Sequence, residues 1–170
     1  MTDARPKSKR ADRRIFALTL LLLLPLEVIC AQSAFHTLGE IDHMVVWSGV
    51  VAGNLFALAL AAFRPRAGAI AAVLVGLAII PQHLGLIRRH SLVRHEATRI
   101  VAFAYEAKAR SGAFPEDLAE FEYERPSVAR YVQHYGADEE AGGFMVTYCV
   151  GTPTTSHWYT PKGGWQYYPD

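Results

Sequence analysis

Three apolar runs occupy most of the first half of the sequence and limit what the chain can fold into. They cover residues 15–35, 44–63 and 67–87, and the stretch from 15 to 87 contains only five charged side chains. A helix rises about 1.5 Å per residue and the hydrocarbon core of a bilayer is about 30 Å thick, so each run is long enough to cross it. The sequence therefore predicts a transmembrane domain of three helices.

The other charges lie in two segments of different character. Residues 1–14 carry six basic side chains, and residues 88–170 carry nine basic and eleven acidic ones. The first segment is predicted to be a cytoplasmic basic tail, and the second a water-facing domain large enough for one modest core. No basic face accumulates in that domain, so we expect membrane lipid and a protein as partners and no nucleic acid.

The charges of the connecting loops predict the orientation in the membrane. Residues 36–43 contain no Lys or Arg, whereas Arg64 and Arg66 lie between the second and third runs. Basic loops stay in the cytoplasm, so the sequence predicts a multi-pass protein of a bacterial inner membrane with an extracytoplasmic C-terminal domain. Two alternatives stay open. Arg88, Arg89 and Arg94 follow the third run and favour the cytoplasmic side for that domain, and the first run has features of a cleaved signal peptide.

The C-terminal domain begins with a helical pattern. Its apolar residues recur at spacings of three and four, on one stripe: Val93, Ala97, Ile100, Phe103, Ala104 and Ala107. No helix breaker separates residue 87 from this stripe, so the third span is predicted to continue into it. Gly112 is predicted to end the helix in the left-handed conformation.

Shorter elements are predicted after this helix. Pro115 suits the first turn of a short helix, from which Leu118 and Phe121 turn inward. Strands are expected at residues 130–135 and 144–150, and a hairpin at residues 157–160 and 165–168. The fold class is therefore a membrane α-helical half followed by a small α+β domain, with a long helix packed on an antiparallel sheet.

This domain carries a resemblance to a known family, through a glycine, an aromatic-proline pair and a leucine after the long helix, and through aromatic residues in the strands. The residues are Gly112, Phe114, Pro115, Leu118, Tyr131, Tyr148 and Trp165. From about residue 91 to 170 the chain resembles the globular domain of type II secretion pseudopilins. The resemblance concerns domain architecture alone, without the prepilin signal, and implies an accessory subunit of an envelope complex.

Glu27 and His83 are ionisable side chains inside the predicted spans. Such residues are costly in hydrocarbon and often mark functional sites. Helical rise places the two within about 6 Å in depth, so they are a candidate intramembrane polar pair. Two interpretations stay open: a proton or ligand site between helices, or a structural hydrogen bond made by a neutral carboxyl group.

Aromatic side chains near the C-terminus form a candidate interaction surface. They are Trp158, Tyr159, Trp165, Tyr167 and Tyr168. Aromatic rings stack on flat ligands, but cross-strand aromatic pairs also stabilise a hairpin that binds nothing. Both interpretations of these five residues stay open.

The sequence lacks the common motifs of catalysis and cofactor binding. His36, Glu40 and His43 would share a face only if their loop were helical, and we expect no metal site there. Cys30 and Cys149 are predicted to be free thiols. No catalytic residue and no cofactor is therefore predicted.

Three functions remain as hypotheses. The first is a non-enzymatic membrane protein that presents a pilin-like domain to a protein partner in an envelope assembly. The second is a small membrane enzyme or transporter component that uses Glu27 and His83. The third is a ligand-sensing domain that works through the C-terminal aromatic hairpin.

Overall fold

The computed structural model of the chain describes residues 5–138, 143–151 and 155–168. The first four residues of the predicted basic tail and the last two of the chain lie outside these ranges. The helices are α1 (Arg5–Thr37), α2 (Glu40–Phe63) and α3 (Pro65–Ser111), followed by a 3-10 helix at Pro126–Tyr131. The strands are β1 (Val132–Asp138), β2 (Gly143–Cys149), β3 (Ser156–Thr160) and β4 (Gly164–Tyr168), which form one antiparallel sheet in that order. The predicted fold class is confirmed.

The chain divides into two compact units. The helical unit contains residues up to 35 together with 41–85, and the α+β unit contains residues 36–40 and 86–170. Helix α3 contributes residues to both units. The short α1–α2 connection belongs to the α+β unit, where Gly151 lies so close to the backbone of Thr37 that a larger residue would not fit.

The three helices are long and apolar enough to cross a membrane. At most 22% of the residues in their most apolar windows are buried inside the protein. Large apolar side chains such as Leu21, Leu55 and Leu77 therefore point outward, with more than half of their surface exposed. An apolar surface of this extent is unfavourable in water and suits lipid.

The connections between these helices are shorter than the sequence predicts. A loop was expected over residues 36–43, but α1 continues to Thr37, α2 begins at Glu40, and only two residues separate them. The expectation was wrong because polar residues at the ends of apolar spans continue the helical hydrogen bonding. Gly39, at φ 105°, supplies the left-handed residue at this connection.

Small residues allow close approach of the helices in the helical unit. A Cβ at Gly68 would lie 2.5 Å from the Cβ of Ala61 and 2.7 Å from the carbonyl oxygen of Ala57. A Cβ at Gly53 would lie 2.7 Å from a methyl group of Val75, whereas one at Gly49 would meet nothing within 4 Å. Thus α2 and α3 contact each other through Gly53 and Gly68.

The close contact at Gly68 can be tested with a single added methyl group. Gly68→Ala should lower the free energy of unfolding in detergent by about 1–3 kcal/mol, because the neighbouring atoms include backbone. Gly49→Ala is the matched control, and it should be neutral or slightly stabilising, because alanine is the better helix former. Equal effects of the two substitutions in thermal unfolding would contradict this contact.

The second half of α3 packs against the inner face of the sheet. Its fully buried residues are Val93, Glu96, Ala97, Ile100 and Ala104, and the apolar ones share one core with Phe144, Val146 and Tyr148. The predicted stripe is therefore confirmed at four positions. Phe103 is only half-buried and packs its ring 5.5 Å from that of Phe121, beside the core and outside it.

Gly112 ends α3 as predicted, at φ 85°, and its N–H bonds to the carbonyl of Lys108. The short helix expected from Pro115 does not form. The Asp117 carboxylate instead accepts a hydrogen bond from the N–H of Ala119 at 2.8 Å, a local bond that competes with helix. The segment that follows Gly112 is also held against α3, because the side chain of buried Glu96 accepts a hydrogen bond from the N–H of Arg125 at 3.0 Å.

The register of the sheet separates its two faces. Tyr148, His157 and Tyr167 lie opposite one another on β2, β3 and β4. Their side chains share the inner face, which packs on α3. Trp158 and Tyr168, one residue along from this row, lie on the outer face. This alternation determines which aromatic side chains can meet α3.

Candidate functional site: a cleft of histidines and aromatic rings

A stack of three rings forms the floor of the site. The imidazole of His157 lies between the phenol rings of Tyr148 and Tyr167, at centroid distances of 4.9 Å and 4.5 Å. His157 is only 4% exposed, and its Nε2 donates a hydrogen bond to the carbonyl oxygen of His36 at 2.9 Å. Sheet register and this bond therefore fix the orientation of the imidazole.

Helix α3 adds two more polar side chains, spaced four residues apart on one face. The ring of His90 lies 4.9 Å from that of His157, and its Nε2 is 3.5 Å from the hydroxyl of Tyr148. Arg94 donates to the same hydroxyl at 3.4 Å, and its guanidinium lies 3.8 Å from the ring centroid of Trp165. The contact with Trp165 is a cation–π interaction.

These side chains line an open cleft of about 340 Å³ within the α+β unit. The lining comes from the C-terminal end of α1 and from α3, β3 and β4: His36, His90, Arg94, His157, Trp165, Gln166 and Tyr167. None of these residues is acidic. The lining instead consists of aromatic rings, which are flat and apolar, and of imidazole, guanidinium and amide groups, which supply nitrogen donors.

The local electrostatics disfavour protonation of His90 and His157. The pKa of His157 is lowered to about 4, chiefly by burial; the bond to the His36 carbonyl opposes this effect, and the nearby His90, His36 and Arg94 add to it. Burial likewise lowers the pKa of His90, with His36 and Arg94 adding to the effect. Each nearby charge acting on these two rings is positive, so the cleft disfavours further positive charge.

The arrangement favours an anionic ligand over a metal ion. Within the described residues, no three His, Cys, Asp or Glu side chains are grouped closely enough to hold a metal. A guanidinium and imidazoles donate hydrogen bonds to oxyanions, and aromatic rings provide an apolar surface beside them. What the cleft offers chemically is recognition of an anion.

The structure separates the five aromatic residues named from the sequence. Tyr159, Trp165 and Tyr167 lie on the inner face of the sheet, and the last two line the cleft. Trp158 and Tyr168 lie on the outer face, where Tyr168 is 54% exposed. The five residues therefore do not form one continuous surface.

Sequence reasoning missed His90, Arg94 and His157 as members of a site. One signal was present, because His90 and Arg94 have the spacing that brings side chains together on a helix. Their meeting with His157 depends on the register of β3, which the sequence did not reveal.

A second polar group lies in the helical unit, where Glu27 is fully buried. The amide nitrogen of Asn54 donates to Glu27 Oε2 at 2.5 Å and to the carbonyl of Val50 at 2.9 Å. The other oxygen of Glu27 faces Gly76, where a Cβ would lie 3.3 Å from it. The hydrogen-bond partner of Glu27 is thus Asn54, a lone amide in an apolar run that sequence reasoning overlooked.

His83 makes its hydrogen bond elsewhere. Its Nδ1 donates to the carbonyl oxygen of Ile79 at 2.8 Å. Among the described side chains, three buried polar atoms have no hydrogen-bond partner: Glu27 Oε1, Asn54 Oδ1 and His83 Nε2. The structure therefore does not join Glu27 to His83 by a hydrogen bond, and a functional role for either residue stays a prediction.

The contribution of the Glu27–Asn54 bond can be measured by substitution. Glu27→Leu should destabilise the protein in detergent by about 1–2 kcal/mol, because the amide of Asn54 loses its acceptor. Glu27→Gln should cost less, because its carbonyl oxygen still accepts. Asn54→Leu should relieve part of the Glu27→Leu penalty, and His83→Leu, the control, should be additive with it. Relief by His83→Leu alone would contradict this assignment.

Comparisons with protein-family models, with curated proteins and with solved structures give no match for this chain.

Proposed function

We propose that this chain is a multi-pass protein of a bacterial inner membrane that presents its α+β domain on the extracytoplasmic side as a recognition module. The observation that carries the proposal is the combination of three outward-facing apolar helices with a separate domain that has its own core. The charge pattern of the tail and loops supports the orientation. The domain acts without catalysis, as an accessory subunit of an envelope assembly.

The outer face of the sheet is the surface proposed for a protein partner. None of its described residues is buried, and it presents Trp158 beside the exposed edge residue Tyr168. Tryptophan and tyrosine often dominate the binding energy of protein interfaces. The pseudopilin-like architecture proposed for the domain, a long helix behind an antiparallel sheet, leaves this face available to another subunit.

A second function, ligand sensing, is favoured by the cleft on the inner face. Its rings and basic side chains converge on an open volume of about 340 Å³, which lies within the usual range for small-molecule sites. The two functions are compatible, since they use opposite faces of the sheet.

Reporter fusions test the proposed topology. Fusions after Phe63 and after Asp170 should report opposite compartments, cytoplasm for the first and the extracytoplasmic side for the second. The third span lies between the two fusion points, which is the physical reason for the difference. The same compartment for both fusions would eliminate the three-span arrangement.

Photo-crosslinking in living cells tests the protein partner. A photoreactive phenylalanine at Thr147, on the outer face, should give a discrete protein adduct that Tyr168→Ala reduces at least severalfold. The same probe at the exposed helical residue Thr98 is the control and should give none. Equal adducts at both positions, or an adduct insensitive to Tyr168→Ala, would contradict the proposed surface.

A further inference from the structure

Arg94 is the cationic centre of the cleft. Its contacts are with the hydroxyl of Tyr148 and the ring of Trp165, and it has no carboxylate partner among the described residues. Arg99, one turn and a half along the same helix, contrasts with it by pairing with buried Glu96 at 2.8 Å. The positive charge of Arg94 is therefore left for a ligand to neutralise.

The donors around Arg94 suit a phosphate group. The guanidinium of Arg94 and the imidazole of His90 both line the cleft, and they lie 3.4 Å and 3.5 Å from the hydroxyl of buried Tyr148, so these two donors converge on one small region. Tetrahedral oxyanions accept several such donors at once. A volume of about 340 Å³ exceeds the needs of a bare phosphate ion, so there is room for an organic substituent against Trp165 and Tyr167.

The position of these residues in the chain points to the source of the phosphate. His36 directly follows the first apolar run, which ends at residue 35, and His90 comes three residues after the third run, which ends at residue 87. Three residues of helix extend only about 4.5 Å. By chain connectivity alone, both histidines belong at the depth of lipid headgroups.

We propose that this cleft binds a phosphate ester, and that this ester is the headgroup phosphate of an anionic phospholipid. The inference rests on the proposed ligand-sensing function of the domain and names the ligand class. The alternative source is a soluble phosphate ester, which carries the same group without acyl chains.

Binding should become tighter as the pH falls. In the empty cleft the pKa of His90 is lowered by burial and by the positive charges of His36 and Arg94. A bound phosphate favours the protonated ring and raises that pKa, so ligand and proton bind together. The other titratable groups that face His90 are His157 and Tyr148, and neither supplies a negative charge near neutral pH.

The experiment measures equilibrium binding to the full-length protein in micelles of an uncharged maltoside detergent. The probes are dioctanoyl phosphatidylglycerol, dioctanoylglycerol, which lacks the phosphoglycerol headgroup, and glycerophosphoglycerol, which is the same phosphodiester without the acyl chains. Phosphatidylglycerol should bind saturably and at least about tenfold more tightly than either of the others. Its affinity should increase severalfold between pH 7.5 and pH 5.5.

Substitutions assign the binding to the cleft. Arg94→Gln should weaken phosphatidylglycerol binding at least about tenfold, and Arg94→Lys should restore part of it. Arg110→Gln is the matched control, because it removes the same charge from the same helix outside the cleft and should leave affinity unchanged. His90→Gln should reduce the pH dependence of phosphatidylglycerol binding. This variant assigns the binding to the cleft if Arg94→Gln fails to fold.

Each remaining outcome decides against part or all of the proposal. Equal binding of phosphatidylglycerol and glycerophosphoglycerol would overturn the lipid as the source. No saturable binding, binding that does not need the phosphate, or equal losses in Arg94→Gln and Arg110→Gln would overturn the site itself. The reporter fusions would still distinguish this failure from failure of the proposed topology.

Discussion

Helix α3 extends from Pro65 to Ser111, with Pro81 inside it as a position that donates no backbone hydrogen bond, and much of the structure depends on this helix. The first part of this helix supplies an outward apolar surface and the close contact at Gly68. The second part supplies the buried stripe on which the inner face of the sheet packs. The same second part places His90 and Arg94 against the rings of that face. One helix thus provides apolar surface, domain core and candidate site.

Much of this fold could be predicted from the sequence because its signals are local. Apolar length predicted the three helices, period 3.6 predicted the stripe from Val93 to Ala107, four residues of which are buried, and alternation predicted the strands of the hairpin. The two wrong predictions also have local causes. The polar run at residues 36–43 resembles a loop, but most of it continues α1 and α2. A helix expected from Pro115 does not form, because the Asp117 side chain bonds to the N–H of Ala119 instead.

The candidate sites were less predictable because their residues are far apart in the chain. The bond between His157 and the His36 carbonyl joins positions 121 residues apart, and periodicity carries no information on such a meeting. Glu27 was identified from its charge in an apolar run, and it is fully buried in the structure. Its hydrogen-bond partner Asn54 was not identified, because an uncharged amide in an apolar run is a weaker sequence signal than a histidine. Both side chains can nevertheless form a hydrogen bond with a carboxyl group.

Charged side chains of the α+β domain differ in whether a group of opposite charge lies beside them. This difference distinguishes Arg94, in the cleft, from Glu96. Glu96 is buried, but it forms an ion pair with Arg99 and accepts a hydrogen bond from the N–H of Arg125, so its negative charge is stabilised inside the domain. Among the described residues, Arg94 contacts the phenol of Tyr148 and the indole ring of Trp165 and forms no ion pair, and its charge disfavours protonation of His157. A protein could reduce this repulsion with a single carboxylate beside Arg94. The described residues of this cleft lack one, so the open volume in front of Arg94 is where an external anion would be most stabilising.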